Sequence, residues 1–295
     1  MKKLTQLALA ATLTAASVCA QAGGHYVPGV EGIMAASVPP PGMYYLGYLV
    51  NYSIDELRAP GSNTVPLRNT GTVSALANRL VYITNTQFLG AHYGVEAIVP
   101  VLRKSLNFNA PGISESNSGV GDIYIGPLVL GWHGANWDAV AAAGLWFDNA
   151  SSDAPSKPGN GYKSTMLTGG GTYYFDDAKT WTGSALMRYE MNSRQANGIK
   201  PGNQVSLEWG LGKSVGPVQV GVVGYDQWQT SDDSGTGAAA GQAERHAIGV
   251  EVVYPLMKEA GVMLKAAYYD EYSAKGGSAP QAKGSTLRFT FVKAF

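Results

Sequence analysis

Gly284-Ser285-Thr286-Leu287-Arg288-Phe289-Thr290-Phe291-Val292-Lys293-Ala294-Phe295 alternates two kinds of residue. Leu287, Phe289, Phe291 and Phe295 fall on one side of an extended chain, and Thr286, Arg288, Thr290 and Ala294 on the other. Side chains of a strand point alternately to opposite faces, so a period of two marks a strand between two different surroundings. One face here is aromatic and oily; the other is polar and carries a charge. In a soluble protein this is a half-buried edge strand. In a membrane barrel it is the closing strand, with lipid outside and a polar lumen inside. The remainder of the chain decides between them.

The terminal Phe295 behind alternating apolar residues resembles the signal by which bacterial outer-membrane proteins are recognised for insertion. That implies the barrel-assembly machinery as a partner acting through Phe295, and outer-membrane lipid and lipopolysaccharide as surroundings. Residues 1–22 read as a secretory signal peptide: Lys2 and Lys3, an apolar run from Leu4 to Val18, and the small-x-small site Ala20-Gln21-Ala22. Cys19 is the one cysteine and lies inside that signal, so the mature chain has no disulfide, thiolate metal site or cysteine nucleophile. Without Lys2 and Lys3, acids outnumber bases by two. No basic footprint for nucleic acid remains.

Charged residues make up 14% of the chain, against roughly 25% in soluble proteins. Mean hydropathy is nevertheless near zero. No mature segment has the roughly 20 apolar residues of a membrane helix. A secreted chain with few charges, 38 Gly and 17 Tyr fits an all-β, transmembrane, antiparallel up-and-down β-barrel.

Strand-like runs cover 43–53, 73–84, 90–102, 121–132, 137–147, 163–175, 180–191, 204–214, 218–229, 245–254, 260–269 and 284–295, predicting twelve strands. Each is near the roughly 9–11 residues that a tilted strand needs to cross a bilayer. The connections alternate in length. Long ones are expected at 54–69, 107–120, 148–162, 192–202, 230–244 and 270–283, and short ones at 85–89, 134–136, 176–179, 215–217 and 255–259. Long outer loops and short periplasmic turns belong to outer-membrane barrels. Aromatic residues are expected in two girdles. Phe88, Trp132, Trp137, Phe175, Trp181, Tyr254 and Phe295 stand at the short-turn end; Tyr52, Phe147, Tyr162, Tyr189, Trp228 and Tyr269 stand at the long-loop end.

The polar half of each strand predicts a lumenal set: Arg79, Glu96, Asp122, Arg188, Glu190, Glu208, Arg245, Glu251, Lys265 and Arg288. Acids and bases are equal in number, and unpaired buried charge is costly, so a paired network in a narrow lumen is expected. Residues 23–41 show no strand alternation and contain Pro39-Pro40-Pro41. They read as an ordered plug before the barrel of residues 42–295, with His25, Tyr26, Val27, Pro28, Glu31, Pro39, Pro40 and Pro41 its distinctive residues. A periplasmic linker is the alternative. Pro100 and Pro127 lie within predicted strands, where a missing ladder donor marks a bulge or an opening in the wall.

Catalytic motifs are weak. Gly210-Leu211-Gly212-Lys213-Ser214 resembles the end of a P-loop, but Leu207 stands where the first glycine should be, and the stretch reads as a strand. His25, His92, His133 and His246 have no metal-ligand spacing, and no cofactor is expected. A barrel hydrolase would show a His-x-Ser pair; here Gly94, Ala135 and Ile248 follow two residues after the last three histidines. The expectation is a channel, not an enzyme.

Several motifs together resemble the bacterial outer-membrane channel proteins associated with the meta-pathway of phenol degradation. They are His25-Tyr26-Val27-Pro28-Gly29, Pro39-Pro40-Pro41-Gly42, Asn78-Arg79-Leu80-Val81-Tyr82, Leu89-Gly90 with Tyr93-Gly94 and Val99-Pro100, Gly119-Val120-Gly121-Asp122, and Pro127-Leu128-Val129-Leu130-Gly131-Trp132-His133-Gly134. The resemblance implies a channel for small, often aromatic or hydrophobic, molecules; the expectation is a monomer in the outer membrane that takes them up passively. A general small-solute porin is the alternative, and a barrel hydrolase a more distant one.

Overall fold

The computed structural model describes residues 24–295; the expected signal peptide lies outside the described residues. The strands are β1 (Gly42–Arg58), β2 (Asn69–Phe88), β3 (Ala91–Phe108), β4 (Ile113–Val120), β5 (Tyr124–His133), β6 (Trp137–Trp146) and β7 (Ser164–Tyr174). They continue as β8 (Trp181–Asn192), β9 (Gln204–Val215), β10 (Val218–Gln229), β11 (Glu244–Met257), β12 (Val262–Lys275) and β13 (Gln281–Ala294). Neighbours pair antiparallel, and β1 against β13 closes the ring, with Tyr44 opposite Ala294 and Arg58 opposite Gln281. Closure leaves no unpaired backbone edge in the hydrocarbon layer, which is the requirement for a sheet in lipid.

Thirteen strands make a twelve-position wall, because β4 and β5 share one position beside β3. Val101 faces Val120 on β4, whereas Ile98 faces Tyr124 on β5. Between them the Gly121 amide donates to Pro100 O at 2.9 Å, and residues 121–123 leave the ladder. A second irregularity lies between β5 and β6, where the register shifts between Ile125 and Leu128, around Pro127. The free side of β4 is covered by a loop. Ser156 N donates to Glu115 Oε1 at 2.9 Å, and Asn117 Nδ2 donates to Ser156 Oγ.

The outer wall is apolar in alternation. Val220 and Val222 of β10, Val250 and Val252 of β11, and Leu287, Phe289 and Phe291 of β13 are all exposed. Their neighbours Glu251, Arg288 and Thr290 are buried.

Three sequence expectations need correction. Residues 107–120 are not a loop: they form the β3–β4 hairpin, which turns at 109–112. Residues 54–58 and 69 of the first long connection are strand, and the stretch 270–283 is mostly strand; β1, β2 and β3 reach 17, 20 and 18 residues. These extensions carry polar residues on their outward faces, among them Ser114, Ser116 and Ser118, so the apolar alternation that marks a lipid-facing strand fades there. The third correction concerns the long-loop girdle. Tyr162 and Tyr269 are buried, and Tyr52 donates from its hydroxyl to Glu271 Oε2 at 2.8 Å, so all three face inward. Proximity to a strand end does not fix the face; parity does. At the short-turn end, Phe88, Trp137, Phe175, Trp181, Tyr254 and Phe295 are exposed.

Candidate functional site

The site begins with a segment that cannot form a ladder. Residues 24–41 contain Pro28, Pro39, Pro40 and Pro41, and their only helical element is one 3-10 turn, Gly32–Met34. Buried main-chain groups must still be paired. Here the wall's side chains do it. Glu190 on β8 accepts from His25 N at 3.1 Å and from Tyr26 N at 3.2 Å. Glu208 on β9 accepts from Glu31 N at 3.0 Å, and Glu251 on β11 accepts from Ile33 N at 2.5 Å. On the carbonyl side, Arg288 donates to Gly29 O at 3.1 Å and also to Val30 O, and Lys265 Nζ donates to Glu31 O at 3.2 Å.

Packing fixes the same path. Ile33 is fully buried among Val223, Tyr225, Ala247 and Tyr269, and Val38 sits against Val81, Ile83 and Val129. Gly210 makes room for the turn, since a Cβ there would lie 2.7 Å from Ile33 Cα. Tyr44 OH donates to Pro40 O at 2.8 Å, where the segment enters β1.

Most of the charge on this floor is paired. Glu31 Oε1 lies 3.0 Å from Arg79 and 2.6 Å from Arg188. Arg79 also meets Glu96 at 2.6 Å, and Arg188 lies 3.7 Å from Glu208. Arg288 pairs with Glu251, and Arg245 lies 3.5 Å from Glu271. The guanidinium of Arg188 stands 4.1 Å over the Tyr26 ring, whose hydroxyl donates to Glu208. Burial alone would raise the Glu31 carboxyl, but Arg79, Arg188 and Lys265 hold it at about 2. His25 Nε2 is 3.2 Å from Asp122 Oδ2, and its Nδ1 is 2.9 Å from Ser164 Oγ. Asp122 is buried, yet its carboxyl stays below the usual range because His25 and the amides of Asn160 and Ala150 donate to it.

Against this floor lies a cavity of about 320 Å³. Apolar side chains dominate it, among them Val50, Ile54, Leu57, Ile98, Leu106 and Phe108. Pro155, Pro158 and Pro280 of the connecting loops lie at its other side. Such a shape holds a small apolar body and gives it few polar partners.

The ten residues expected in the lumen all contribute to this interior. Nine project from strands, and Asp122 sits in the β4–β5 break. Val27 and Pro40 differ from the other segment residues in being exposed. Sequence reasoning missed Glu271, which fell in a presumed loop although it continues the parity of Lys265, Ala267 and Tyr269. It also missed Lys104, beyond the presumed end of β3, and the buried Asp138, which accepts from Tyr174 OH at 2.7 Å. Among the described residues no cluster of His, Cys, Asp and Glu could hold a metal ion.

A closed antiparallel barrel with an apolar exterior, threaded by its own N-terminal segment, defines the class: an outer-membrane β-barrel of the kind that encloses a lumen. Residues 54–289 match the family described as the putative MetA-pathway of phenol degradation, and the chain belongs to that family. Among solved structures, an outer-membrane channel from Pseudomonas putida F1 aligns with a TM-score of 0.77 at 16% identity, covering 92% of this chain and 100% of the other. The toluene transporter TodX of Pseudomonas putida aligns more loosely, with a TM-score of 0.46 at 10% identity, covering 95% of this chain and 96% of that one. The outer-membrane phospholipase A of Escherichia coli does so at 0.42 and 13%, covering 88% and 95%. The first of these shares the fold with the chain. No curated protein matches it in sequence.

Proposed function

We propose that the protein is a passive outer-membrane channel for small apolar, often aromatic, molecules, and not an enzyme. The observation that carries this reading is the apolar cavity resting on a polar floor of ion pairs. Lipopolysaccharide obstructs apolar solutes at the cell surface, and a protein conduit needs only the solute gradient to bypass it. Residues 24–41 act as a plug, and the lumenal charges lock that plug rather than bind solute. The interruptions at Pro100 and Pro127 offer a lateral exit toward the bilayer, because regular pairing lapses on one side of Pro100 and on both sides of Pro127. The channel works as a monomer, and the barrel-assembly machinery receives it through Phe295.

Uptake of labelled toluene and labelled arabinose by cells with and without the protein tests the reading. Faster toluene entry with unchanged arabinose entry is expected. Faster arabinose entry with toluene unchanged would mean a general porin instead.

A further inference from the structure

The outward face of β1–β4 changes character between neighbouring rows of the ladder. One row is Leu49, Leu76, Val101 and Val120, each opposite the next and all exposed. Two residues toward the long-loop end, the matching row is Asn51, Ser74, Arg103 and Ser118. The row beyond that is Ser53, Thr72, Ser105 and Ser116. Apolar side chains face hydrocarbon and polar ones face headgroups, so the changeover marks the edge of the apolar band in the outer leaflet. Arg103 is the one charged residue of these three rows. It is exposed, and among the described residues it makes no ion pair. Its Nε donates to Ser116 Oγ at 3.2 Å, which leaves both terminal nitrogens open. A groove of about 440 Å³ lies on this outer surface. Arg103, Ser118, Ser74 and Asn51 form its polar margin, and Leu49, Leu76, Val101 and Phe289 its apolar one.

We propose that this groove binds a phosphorylated lipid of the outer leaflet, the lipid A part of lipopolysaccharide, with the Arg103 guanidinium on a phosphate and an acyl chain along Leu49, Leu76 and Val101. Charge complementarity carries the choice. A guanidinium at the edge of the hydrocarbon, with no acid in its own row or the rows on either side, gains most from an anion supplied by the membrane. Its planar fork matches two phosphate oxygens at once. The groove also borders the interruption in the wall. Val101 and Val120 are the last β3–β4 pair before the Gly121 amide donates to Pro100 O. A lipid held there lies outside the lumen, so the site does not depend on which solute the channel carries.

The test titrates lipid A against the purified protein in detergent and reads the bound fraction by native mass spectrometry. Arg103→Gln should weaken binding of lipid A roughly tenfold, the size of one charge-assisted hydrogen bond, and removing the phosphates from the lipid should do the same to the natural chain. Arg103→Lys should retain part of the affinity. Ser74→Leu, which fills the groove and leaves the charge in place, should weaken binding severalfold and covers the case in which the arginine variants fail to fold. Lys293→Gln, which removes a cation at the short-turn end of β13, should change nothing. Excess inorganic phosphate should not displace the lipid. Electrophoretic mobility of the unheated protein reports folding for each variant. Unchanged binding in folded Arg103→Gln and Ser74→Leu proteins overturns the inference. So does equal binding of lipid A with and without its phosphates, which would mean a bare acyl surface. Displacement by inorganic phosphate, or an equal loss in Lys293→Gln, overturns it as well.

Discussion

Glu31 Oε1 lies 2.6 Å from Arg188 Nη2, and the same oxygen lies 3.0 Å from Arg79 Nη1. One carboxylate on the N-terminal segment thus joins two strands, β2 and β8, that are not neighbours in the wall. Removing it leaves two guanidinium groups sharing Glu96 and Glu208 as their remaining acidic partners. Breaking a buried pair by deleting one partner costs about 3–5 kcal/mol. Glu31→Ala should therefore release the segment while the barrel stays folded. Single-channel conductance should rise, and heat-modifiable mobility on gels should persist. An unchanged conductance would mean that the segment does not obstruct the lumen.

The same residue sets a pH dependence. Its carboxyl is held at about 2 in place, below the 4.5 of an unperturbed glutamate. A group whose pKa is depressed in the bound state contributes fully above its free value and loses that contribution as pH falls toward the bound value. The clamp is therefore complete above pH 4.5 and lost progressively down to about pH 2. The part of the conductance response that depends on Glu31 should begin near pH 4.5 and grow below it. Glu31→Gln should remove that contribution, leaving a shallower acid response; an identical acid response in both proteins would assign the transition to other carboxylates.

Arg288 and Glu251 form an ion pair with neither side chain accessible to solvent. Arg288→Met alone strands a buried carboxylate, and Glu251→Leu alone strands a buried cation. Each single variant should lose about 3–5 kcal/mol of stability, whereas the double variant should lose less than the two combined. Glu251 also accepts from Ile33 N, so the double variant should still fall short of the natural chain. Urea unfolding midpoints in detergent measure all four proteins; strict additivity would show that the pair is not coupled.

Gly210 on β9 faces the 3-10 turn, with Ile33 Cα 2.7 Å from where a Cβ would stand. Gly210→Val should displace the turn without entering the lipid face. Higher conductance and faster proteolysis within residues 24–41 are the expected outcomes. Val222→Ala, on the outer wall, serves as a control and should alter neither.

The wall was legible wherever lipid lies on one side of it. Residues such as Leu287, Phe289 and Arg288 carry opposite preferences at adjacent positions, and the parity of one strand then fixes all its faces. That logic located the lumenal charges on β8, β9, β11 and β13. It failed beyond the bilayer. In Ile113–Val120 both faces are polar, so a real strand looked like a loop. Glu271 was lost for the same reason. Which charge meets which was not legible either. Glu31 reaches Arg79 and Arg188 only because the ring closes, and nothing local to any of the three residues specifies the others.

The side chains that pair the main chain of residues 24–33 lie late in the chain. Glu190, Glu208, Glu251 and Arg288 come from β8, β9, β11 and β13. Arg288, on the final strand, reaches back across 259 positions to Gly29 O. A stretch that precedes every strand of the barrel is therefore among the last that can settle. Contacts so distant in sequence form slowly, so the leading stretch must wait, held or idle, until the hoop has been welded around it.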